Sequence, residues 1–317
     1  MVAIAILDDY QNVALSFADW SRLQAGHQVT VFNHAFASEA QARQELQGYD
    51  VVCCMRERTS FPKSLIDALP NLKLIVTAGM RNAAIDMEAA AARGIKVCGS
   101  ESGGHATAEL TMGLMISLAR NLHVEFANMR EGRWQTTVGR DLRGRTLGLV
   151  GLGKLGAHVA RMAQAFGMKV IAWSPNLTDA RAMEHNVTRV DKDALFREAD
   201  IVSVHMVLSA RSKGIVTAAD IARMKPTAFL VNTSRAPLVD NAALASALAE
   251  GRIAGAAIDV YEVEPVPAAE ALRREPRAVL TPHIGYVTEE TYRLFYPGMV
   301  EDIEAWLAGK PVRVIAG

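Results

Sequence analysis

The feature that most constrains the fold is the alternation of short β-branched runs with alanine-rich helical stretches along the whole chain. Such alternation is typical of parallel βαβ units, in which a helix connects two neighbouring strands. In the first third of the chain, strands are predicted at residues 3–7, 28–32, 51–55, 72–77 and 96–98. A second series is predicted at residues 146–150, 169–173, 201–205, 228–232, 256–259 and 279–280. Eleven strands exceed one ordinary sheet, so the pattern predicts an α/β fold with two doubly wound parallel sheets.

Two apolar helices mark the join between the predicted sheets. Residues 106–122 form a helix that is apolar on nearly all sides, which predicts burial either between the two domains or in a subunit interface. A second helical pattern starts at Thr288, and Pro297-Gly298 is expected to kink it or split it in two. If this last helix returns to the first sheet, the first domain is discontinuous and a cleft lies between two domains joined by two crossings.

Composition narrows the class of protein. A chain of 317 residues favours two domains, and its 34 basic and 34 acidic residues leave no net charge to hold nucleic acid or an anionic membrane. No apolar run reaches the 18 residues that span a bilayer, and the N-terminus is expected to form a strand and not a signal peptide. Three cysteines, of which Cys53 and Cys54 are adjacent, predict no disulfide framework and no metal site. A soluble protein of the reducing cytoplasm is therefore expected.

A glycine-rich loop carries the sharpest local signal. Gly151-Leu-Gly153-Lys154-Leu155-Gly156 stands between the strand predicted at 146–150 and a helical run at 157–166. The first glycine permits a tight turn, the second lets the backbone approach a pyrophosphate, and the third lets helix and strand pack closely. Because the helix N-terminus offers unpaired N–H groups to phosphates, the loop predicts a dinucleotide site. A structural glycine turn is the alternative for the motif taken alone.

Further motifs follow in a fixed order along the chain: Gly132-Arg-Trp134, Asp141-Leu-Arg-Gly144, the glycine loop, Ala199-Asp-Ile-Val-Ser-Val-His205, Asn232-Thr-Ser-Arg235, Asp259-Val-Tyr-Glu-Val-Glu264-Pro265 and Thr281-Pro-His283-Ile-Gly285. In these motifs, from about Val51 to Pro311, the chain resembles the D-isomer-specific 2-hydroxyacid dehydrogenases, which include glyoxylate/hydroxypyruvate reductases and phosphoglycerate dehydrogenases. The resemblance implies a Rossmann NAD(P)-binding domain at 101–284. This domain is inserted into a discontinuous, flavodoxin-like substrate domain at 1–100 and 285–317.

Three residues are candidates for catalysis. Arg235, Glu264 and His283 each follow a predicted strand, at the edge where ligands bind in open α/β sheets. By the resemblance, Arg235 binds the substrate carboxylate and polarises the carbonyl, His283 is the general acid or base, and Glu264 orients His283. For each residue alone, a structural salt bridge is the alternative. The other histidines are expected to be solvated or locally hydrogen-bonded, apart from His205, for which a position near the cofactor without proton transfer is expected.

The resemblance also implies binding residues. For the cofactor these are Thr107, Gly151, Gly153, Lys154, Leu155, Gly156, Ser174, Pro175, His205, Thr233 and Asp259. For the substrate these are backbone donors of Gly79 and Met80, together with Arg235 and Tyr286, and Arg81 is a weaker candidate. Arg56 and Trp134 match motif positions as well, and for both a packing role is the alternative.

Four places depart from the family pattern. Ser174-Pro175-Asn176 stands where an acidic residue would grip the adenosine ribose, and Val207 replaces a proline. Ala236-Pro237 replaces a glycine pair, and Tyr286 stands where small residues are common. The first departure predicts weak discrimination between NAD and NADP. The others alter the expected shape of the pocket.

The sequence therefore predicts a cytoplasmic NAD(P)-dependent oxidoreductase that interconverts a small 2-oxo acid and its D-2-hydroxy acid. It is expected to act as a homodimer, without nucleic acid, membrane or metal. The alternative is a non-enzymatic, nucleotide-gated interaction module on the same fold, similar to corepressors that resemble this family.

Overall fold

The computed structural model describes residues 1–315, and the chain divides into two compact units. The first unit contains residues 1–103 and the chain from residue 287 onward, and the second unit contains residues 104–286.

The first unit is built on a five-stranded parallel sheet. Its elements in chain order are β1 (Ala3–Ile6), α1 (Ala14–Phe17), α2 (Ser21–Gly26), β2 (Gln28–Val31), α3 (Glu39–Leu46), β3 (Val51–Cys54), α4 (Lys63–Ala68), β4 (Leu74–Thr77), α5 (Met87–Ala92) and β5 (Lys96–Gly99). The strand order is β2-β1-β3-β4-β5. Every residue of β3 and β4 is buried, as expected for central strands covered by helices on both faces.

The second unit is built on a seven-stranded parallel sheet. Its elements are α6 (Ala106–Arg120), α7 (Leu122–Arg130), β6 (Thr146–Val150), α8 (Lys154–Ala165), β7 (Lys169–Trp173), α9 (Asp179–Met183), β8 (Thr188–Arg189), α10 (Lys192–Glu198), β9 (Ile201–Val204), α11 (Ala218–Arg223), β10 (Phe229–Asn232), α12 (Asn241–Ala249), β11 (Gly255–Ile258) and β12 (Ala278–Leu280). The strand order is β12-β11-β10-β9-β6-β7-β8. From β6 the chain first adds β7 and β8 on one side, and it then adds β9 to β12 on the other side, so the order of strand addition reverses between β6 and β9. The predicted α/β fold with two doubly wound parallel sheets is confirmed.

The last helix, α13 (Glu289–Leu307), belongs to the first unit. Of the two outcomes expected at Pro297-Gly298, a kink or a split, the split is wrong, because α13 is continuous with Pro297 inside it. Buried residues on both sides, Tyr296 and Met299 among them, supply packing that offsets the lost backbone hydrogen bond. Gly298 lies against β5, where an added Cβ would come within 2.8 Å of Ser100 Cβ.

Other boundaries differ from the prediction for local reasons. The helix predicted at 106–122 ends at Arg120, because Asn121 has a left-handed backbone (φ 51°) and starts α7 in a new direction. The two-residue strand β8 was not predicted, since both of its residues are exposed and show no apolar pattern. Most predicted strands differ from the observed ones by one or two residues at an end.

The apolar side of α6 is covered within its own unit. Met112, Leu114, Met115 and Leu118 are buried in a core cluster with residues of the seven-stranded sheet. This packing accounts for the apolar pattern without a partner, so it removes the reason for placing α6 in a subunit interface.

The chain after α13 is fixed to the edge strand of the first unit. Arg313 donates from Nε to Asp302 Oδ1 at 3.0 Å and from Nη2 to the Gly298 carbonyl at 2.9 Å. Asp302 is fully buried, and desolvation raises the pKa of its carboxyl to about 6. Gly99 N–H in turn donates to the Arg313 carbonyl at 3.1 Å.

All three cysteines are free and buried on strands of the first unit, as predicted. Across residues 1–315, no helix combines the length and apolarity that a membrane span requires. Within the same residues, no group of three or more histidine, cysteine or acidic side chains is placed to hold a metal ion.

Candidate functional site

The glycine loop connects β6 to α8. Gly151 has a φ of +105°, which side-chain-bearing residues rarely adopt, and an added Cβ would lie 2.6 Å from the His205 carbonyl oxygen. Gly153 has no atom within 4 Å of the position of an added Cβ, so space is open beside its backbone. The first glycine is thus required by the turn, and the second leaves room for a ligand.

Gly156 lies inside the first turn of α8, which starts at Lys154 and not at residue 157 as predicted. The helix starts earlier because Gly153 takes the N-cap position and its carbonyl accepts from Ala157 N–H at 2.9 Å. An added Cβ at Gly156 would lie 2.3 Å from the Gly151 carbonyl oxygen, so only glycine fits. No side chain caps the N-terminus of α8, which leaves its first N–H groups able to bind an anion. These features fit the pyrophosphate of a dinucleotide.

His205 lies beside this loop at the end of β9. Its Nε2 is 2.8 Å from Ser203 Oγ, and its buried Nδ1 has no hydrogen-bond partner among the described residues. Burial lowers the pKa of His205 to about 4, so the ring is neutral near pH 7. A neutral ring suits the expectation of positioning without proton transfer, and the unpaired nitrogen offers a polar contact to a bound nucleotide.

Two threonines tie α6 to the sheet edge. Thr107 Oγ1 donates to the Gly285 carbonyl at 2.7 Å, and Thr111 Oγ1 is 2.8 Å from Thr233 Oγ1. Two residues expected to bind the cofactor are thereby held: Thr107 is joined to the loop that follows β12, and Thr233, in the loop that follows β10, is joined to α6.

The loop after β7 contains the candidates for reading the adenosine ribose. Ser174 is half-buried, whereas Pro175 and Asn176 are exposed. Asp179, the first residue of α9, directly follows this loop, and its exposed side chain is paired with Arg189 at 3.4 Å. No carboxylate belongs to the loop itself.

Glu264 and His283 form a hydrogen-bonded pair. His283 Nδ1 is 2.6 Å from Glu264 Oε2, and the second carboxylate oxygen accepts from Tyr261 N–H at 2.9 Å. Both side chains are largely buried, with 17% of His283 and 25% of Glu264 exposed. A carboxylate in this position fixes the proton of His283 on Nδ1 in the neutral ring, which leaves Nε2 as the atom for chemistry.

Asp259 shapes the loop that carries His283. Its carboxylate accepts from Thr281 Oγ1 at 2.6 Å, from Ile284 N–H at 2.9 Å and from Gly285 N–H at 2.9 Å. Asp259 is fully buried, and desolvation raises the pKa of its carboxyl although the hydrogen bonds oppose that rise. The resemblance predicts that Asp259 binds the cofactor. In the structure its two oxygens hold the loop of His283, which has a left-handed φ of 53°.

Arg235 follows β10, the strand next to β11 in the sheet. Asn232 fixes the turn, since its side chain donates to the Arg235 carbonyl at 3.0 Å and accepts from Ser234 N–H at 3.1 Å. Arg235 Nη1 donates to the Ser234 carbonyl at 2.7 Å, and the side chain is half-buried. The three catalytic candidates thus follow three adjacent strands, β10, β11 and β12.

Tyr286, a substrate-binding candidate, places its ring edge-on to His283, with centroids 5.8 Å apart. Trp134 and Val207 are exposed, at 73% and 76%. Trp134 is therefore not packed in the core of the second unit, as the alternative for this residue would require.

In the first unit, Gly79 and Met80 follow β4. Gly79 has a φ of +88°, and its N–H donates to Ser100 Oγ at 3.2 Å. An added Cβ at Gly79 would lie 2.5 Å from Arg56 Nη1, so the Arg56 guanidinium packs on this glycine. Met80 and Arg81 are exposed. The assignment of Gly79 and Met80 to the substrate stays a prediction, and Gly79 N–H already has a partner.

The sequence does not predict the residues that support the site. Tyr261 and Thr281 lie in the same motifs as Glu264, Asp259 and His283, but no signal in the sequence indicates their contacts. For Ser203 a signal existed, because residues two apart in a strand share a face and His205 lies two positions later.

The geometry defines an α/β protein with a dinucleotide loop and a histidine–carboxylate pair at the same sheet. Residues 112–285 match the family model described as D-isomer specific 2-hydroxyacid dehydrogenase, NAD binding domain. The chain belongs to the D-isomer-specific 2-hydroxyacid dehydrogenase family, and NAD(P) is the cofactor of this domain.

Relatives and solved structures agree with this assignment. The chain is 38% identical over 259 residues to a hydroxypyruvate reductase of Thermotoga maritima, with 80% of this chain and 83% of the relative covered. It is 37% identical over 279 residues to a D-3-phosphoglycerate dehydrogenase of Synechocystis sp., with 87% of this chain but only 50% of that relative covered. The chain thus spans half the length of the Synechocystis protein. A crystal structure of a phosphoglycerate oxidoreductase from Vibrio cholerae O395 superposes with a TM-score of 0.93 at 36% identity, covering 98% and 100% of the two chains.

Substitution of Gly153 and of Gly156 by alanine should have different effects. Gly156→Ala places a methyl group 2.3 Å from the Gly151 carbonyl oxygen and should destabilise the second unit by about 1–3 kcal/mol through overpacking. Gly153→Ala meets no atom within 4 Å, so stability should fall by less than about 1 kcal/mol, the cost of alanine at this N-cap, while NADH affinity falls about tenfold or more through loss of close approach. Thermal unfolding and NADH fluorescence titration measure the two effects. Equal behaviour of both variants would contradict the separate roles.

Proposed function

We propose that the chain is an NAD(P)-dependent oxidoreductase that reduces a small 2-oxo acid to its D-2-hydroxy acid and catalyses the reverse reaction. The observation that carries the proposal is the 2.6 Å contact of His283 Nδ1 with Glu264 Oε2, at the edge of the sheet that also holds the glycine loop. Family membership supports the reaction class, and the site residues support its chemistry.

The nicotinamide, when bound, supplies hydride to the carbonyl carbon or accepts it in the reverse direction. His283 donates a proton from Nε2 to the carbonyl oxygen during reduction and accepts it back during oxidation. Glu264 keeps the ring oriented and stabilises its positive charge, and Tyr261 N–H holds the other oxygen of that carboxylate. The proton is therefore held at one defined atom.

Arg235 binds the carboxylate of the 2-oxo acid. A guanidinium presents two parallel N–H donors that match a carboxylate, which a lysine does not reproduce. Its half-buried position and its anchored backbone support a fixed orientation of that fork. Gly79 and Met80 remain the candidates of the first unit for substrate binding.

Loss of the acid should show in turnover. His283→Ala should lower kcat about 10²- to 10⁴-fold for reduction of glyoxylate, hydroxypyruvate or pyruvate, with NADH affinity nearly unchanged, because a positioned general acid contributes about that factor. His34→Ala, on the surface of the first unit, is the matched control. Turnover above a tenth of the wild-type value at every pH would show that the assignment is wrong.

Glu264→Gln separates the orienting role from a structural one. Glutamine keeps the size of the side chain but not its negative charge, so the protonated ring is less stable and kcat for reduction should fall about tenfold or more, while thermal unfolding and NADH affinity stay near wild type. A kcat equal to that of the wild type would show that Glu264 does not assist His283.

If no 2-oxo acid is reduced by the wild-type chain while NADH still binds, the nucleotide-gated interaction module becomes the better account.

We further propose weak discrimination between NADH and NADPH. The ribose-reading position has Ser174 in place of a carboxylate, and a neutral hydroxyl neither chelates the ribose nor repels a 2′-phosphate. The nearest downstream carboxylate, Asp179, lies outside the loop and is paired with Arg189.

Ser174→Asp should shift the ratio of kcat/KM values toward NADH by about tenfold or more, because a carboxylate repels the 2′-phosphate and binds the ribose. Ser64→Asp, on the exposed side of α4 in the first unit, adds the same charge outside the unit that contains this loop and should leave the ratio unchanged. A wild-type preference for NADH above about a hundredfold, or 2.7 kcal/mol, would contradict weak discrimination.

We also propose a homodimer in the cytoplasm. Because the apolar side of α6 is buried within its own unit, α7 and the segment after it are the better candidate for the dimer interface. Large apolar side chains are exposed there: Phe126, Met129, Trp134 and Val138. An exposed cluster of this kind is typical of a protein interface. The three free, buried thiols suit a reducing compartment.

Light scattering should therefore return a mass near twice the monomer mass of 34.3 kDa, and Trp134→Ser combined with Met129→Ser should yield monomers. A monomeric wild-type protein at micromolar concentration would exclude the dimer.

A further inference from the structure

A polar groove with a volume of about 480 Å³ lies between α8 and the chain around α9 in the second unit. This volume falls in the range of small-molecule sites, about 300–1,000 Å³. The titratable residues that line it are Lys154, His158, Arg161, Arg181, Glu184 and His185. Apart from Lys154, none of them belongs to the nucleotide site described above.

The groove gathers positive charge that the protein does not neutralise. Its only carboxylate among the described lining residues, Glu184, is already paired with Arg181. Lys154 and Arg161 form no hydrogen bond or ion pair with any side chain in the part of the chain that the structure describes. Cations held together in a concave site repel one another, and a bound anion would offset that repulsion.

The walls of the groove are fixed by hydrogen bonds. Gln164 Nε2 donates at 2.9 Å to the carbonyls of both His185 and Asn186, which ties α8 to the chain after α9. His158 Nδ1 is 3.1 Å from the Gly104 carbonyl oxygen, and its ring stacks on His105 with centroids 4.5 Å apart. The cationic side chains therefore project from anchored elements.

His185 lines the groove, and one nitrogen of its ring is unsatisfied. Its Nε2 is buried and has no hydrogen-bond partner among the described residues. An unpaired buried polar atom costs free energy unless a ligand or water satisfies it.

We propose that this groove binds a compact phosphate-bearing anion, independently of the reaction proposed above. Guanidinium, ammonium and imidazole groups together are the donors that phosphates bind in proteins. Two sources share this chemistry: a separate phosphorylated metabolite and the 2′-phosphate of NADPH. The separate metabolite is favoured, because Ser174 does not line the groove and the lining extends to Gln164, ten residues or about 15 Å along α8 from Lys154.

The test uses inorganic pyrophosphate as the probe, titrated by calorimetry into the 317-residue protein saturated with NADH. The wild-type protein should bind one pyrophosphate, and Arg161→Gln with His185→Gln should weaken binding about tenfold or more, because charge-assisted hydrogen bonds are lost. Arg197→Gln, which removes an exposed arginine of α10 outside the groove, is the matched control and should change nothing. Glu184→Gln should tighten binding, since it removes the opposing carboxylate.

NADH affinity should stay within about twofold of wild type in all of these variants. Absence of pyrophosphate binding, or equal binding by wild type and the double variant, would overturn the proposal. It would also be overturned if the double variant weakened NADPH binding and left pyrophosphate binding intact, because the groove would then read the cofactor's 2′-phosphate.

Discussion

The buried carboxylate of Asp259 is the interaction on which the candidate site depends. Three donors from residues 281–285 converge on it, and burial alone would favour the protonated form. A protonated carboxyl accepts fewer hydrogen bonds, so the three donors oppose the rise in the pKa of Asp259 that burial causes. The same three hydrogen bonds hold the residues on both sides of His283, which has a left-handed backbone. Without Asp259 the loop would lose these three hydrogen bonds around a histidine conformation that is adopted only at a cost.

The parts of the fold that the sequence predicts are those with a strong local signal. β6 and β7 are predicted to the residue, because β-branched runs are bounded by glycine, charge or turn residues on both sides. The sequence does not predict β8, because its two exposed residues have no local signal and sheet pairing forms the strand. The helical spacing does predict α13, but it cannot exclude a split at Pro297, because the packing around Tyr296 and Met299 keeps the helix continuous.

In the candidate site, too, the sequence predicts the residues that have a local signal and not the contacts that depend on tertiary structure. Residue types at strand ends indicate Glu264 and His283, and their 2.6 Å contact agrees with the expected pairing. The supporting contacts depend on the path of each loop, as when Tyr261 presents its backbone N–H to Glu264, and no residue type encodes a backbone donor. For Asp259 the residue was chosen for a cofactor contact, whereas its surroundings give both oxygens to the protein. Burial decides such roles, and burial follows from tertiary structure.

The topology explains why one short stretch of sheet edge collects residues so far apart in the chain. From β6 through β9, β10 and β11 to β12, neighbouring strands follow chain order, so their carboxyl ends present Gly151, His205, Arg235, Glu264 and His283 in sequence. Neighbouring strands lie about 4.8 Å apart, so the four intervals from β6 to β12 span about 19 Å. The edge thus has the glycine loop and the uncapped N-terminus of α8 at one end, where the strand order reverses, and the histidine–carboxylate pair at the other. An elongated ligand laid along it meets both, and each βα crossover adds one more polar loop without disturbing the buried strands beneath.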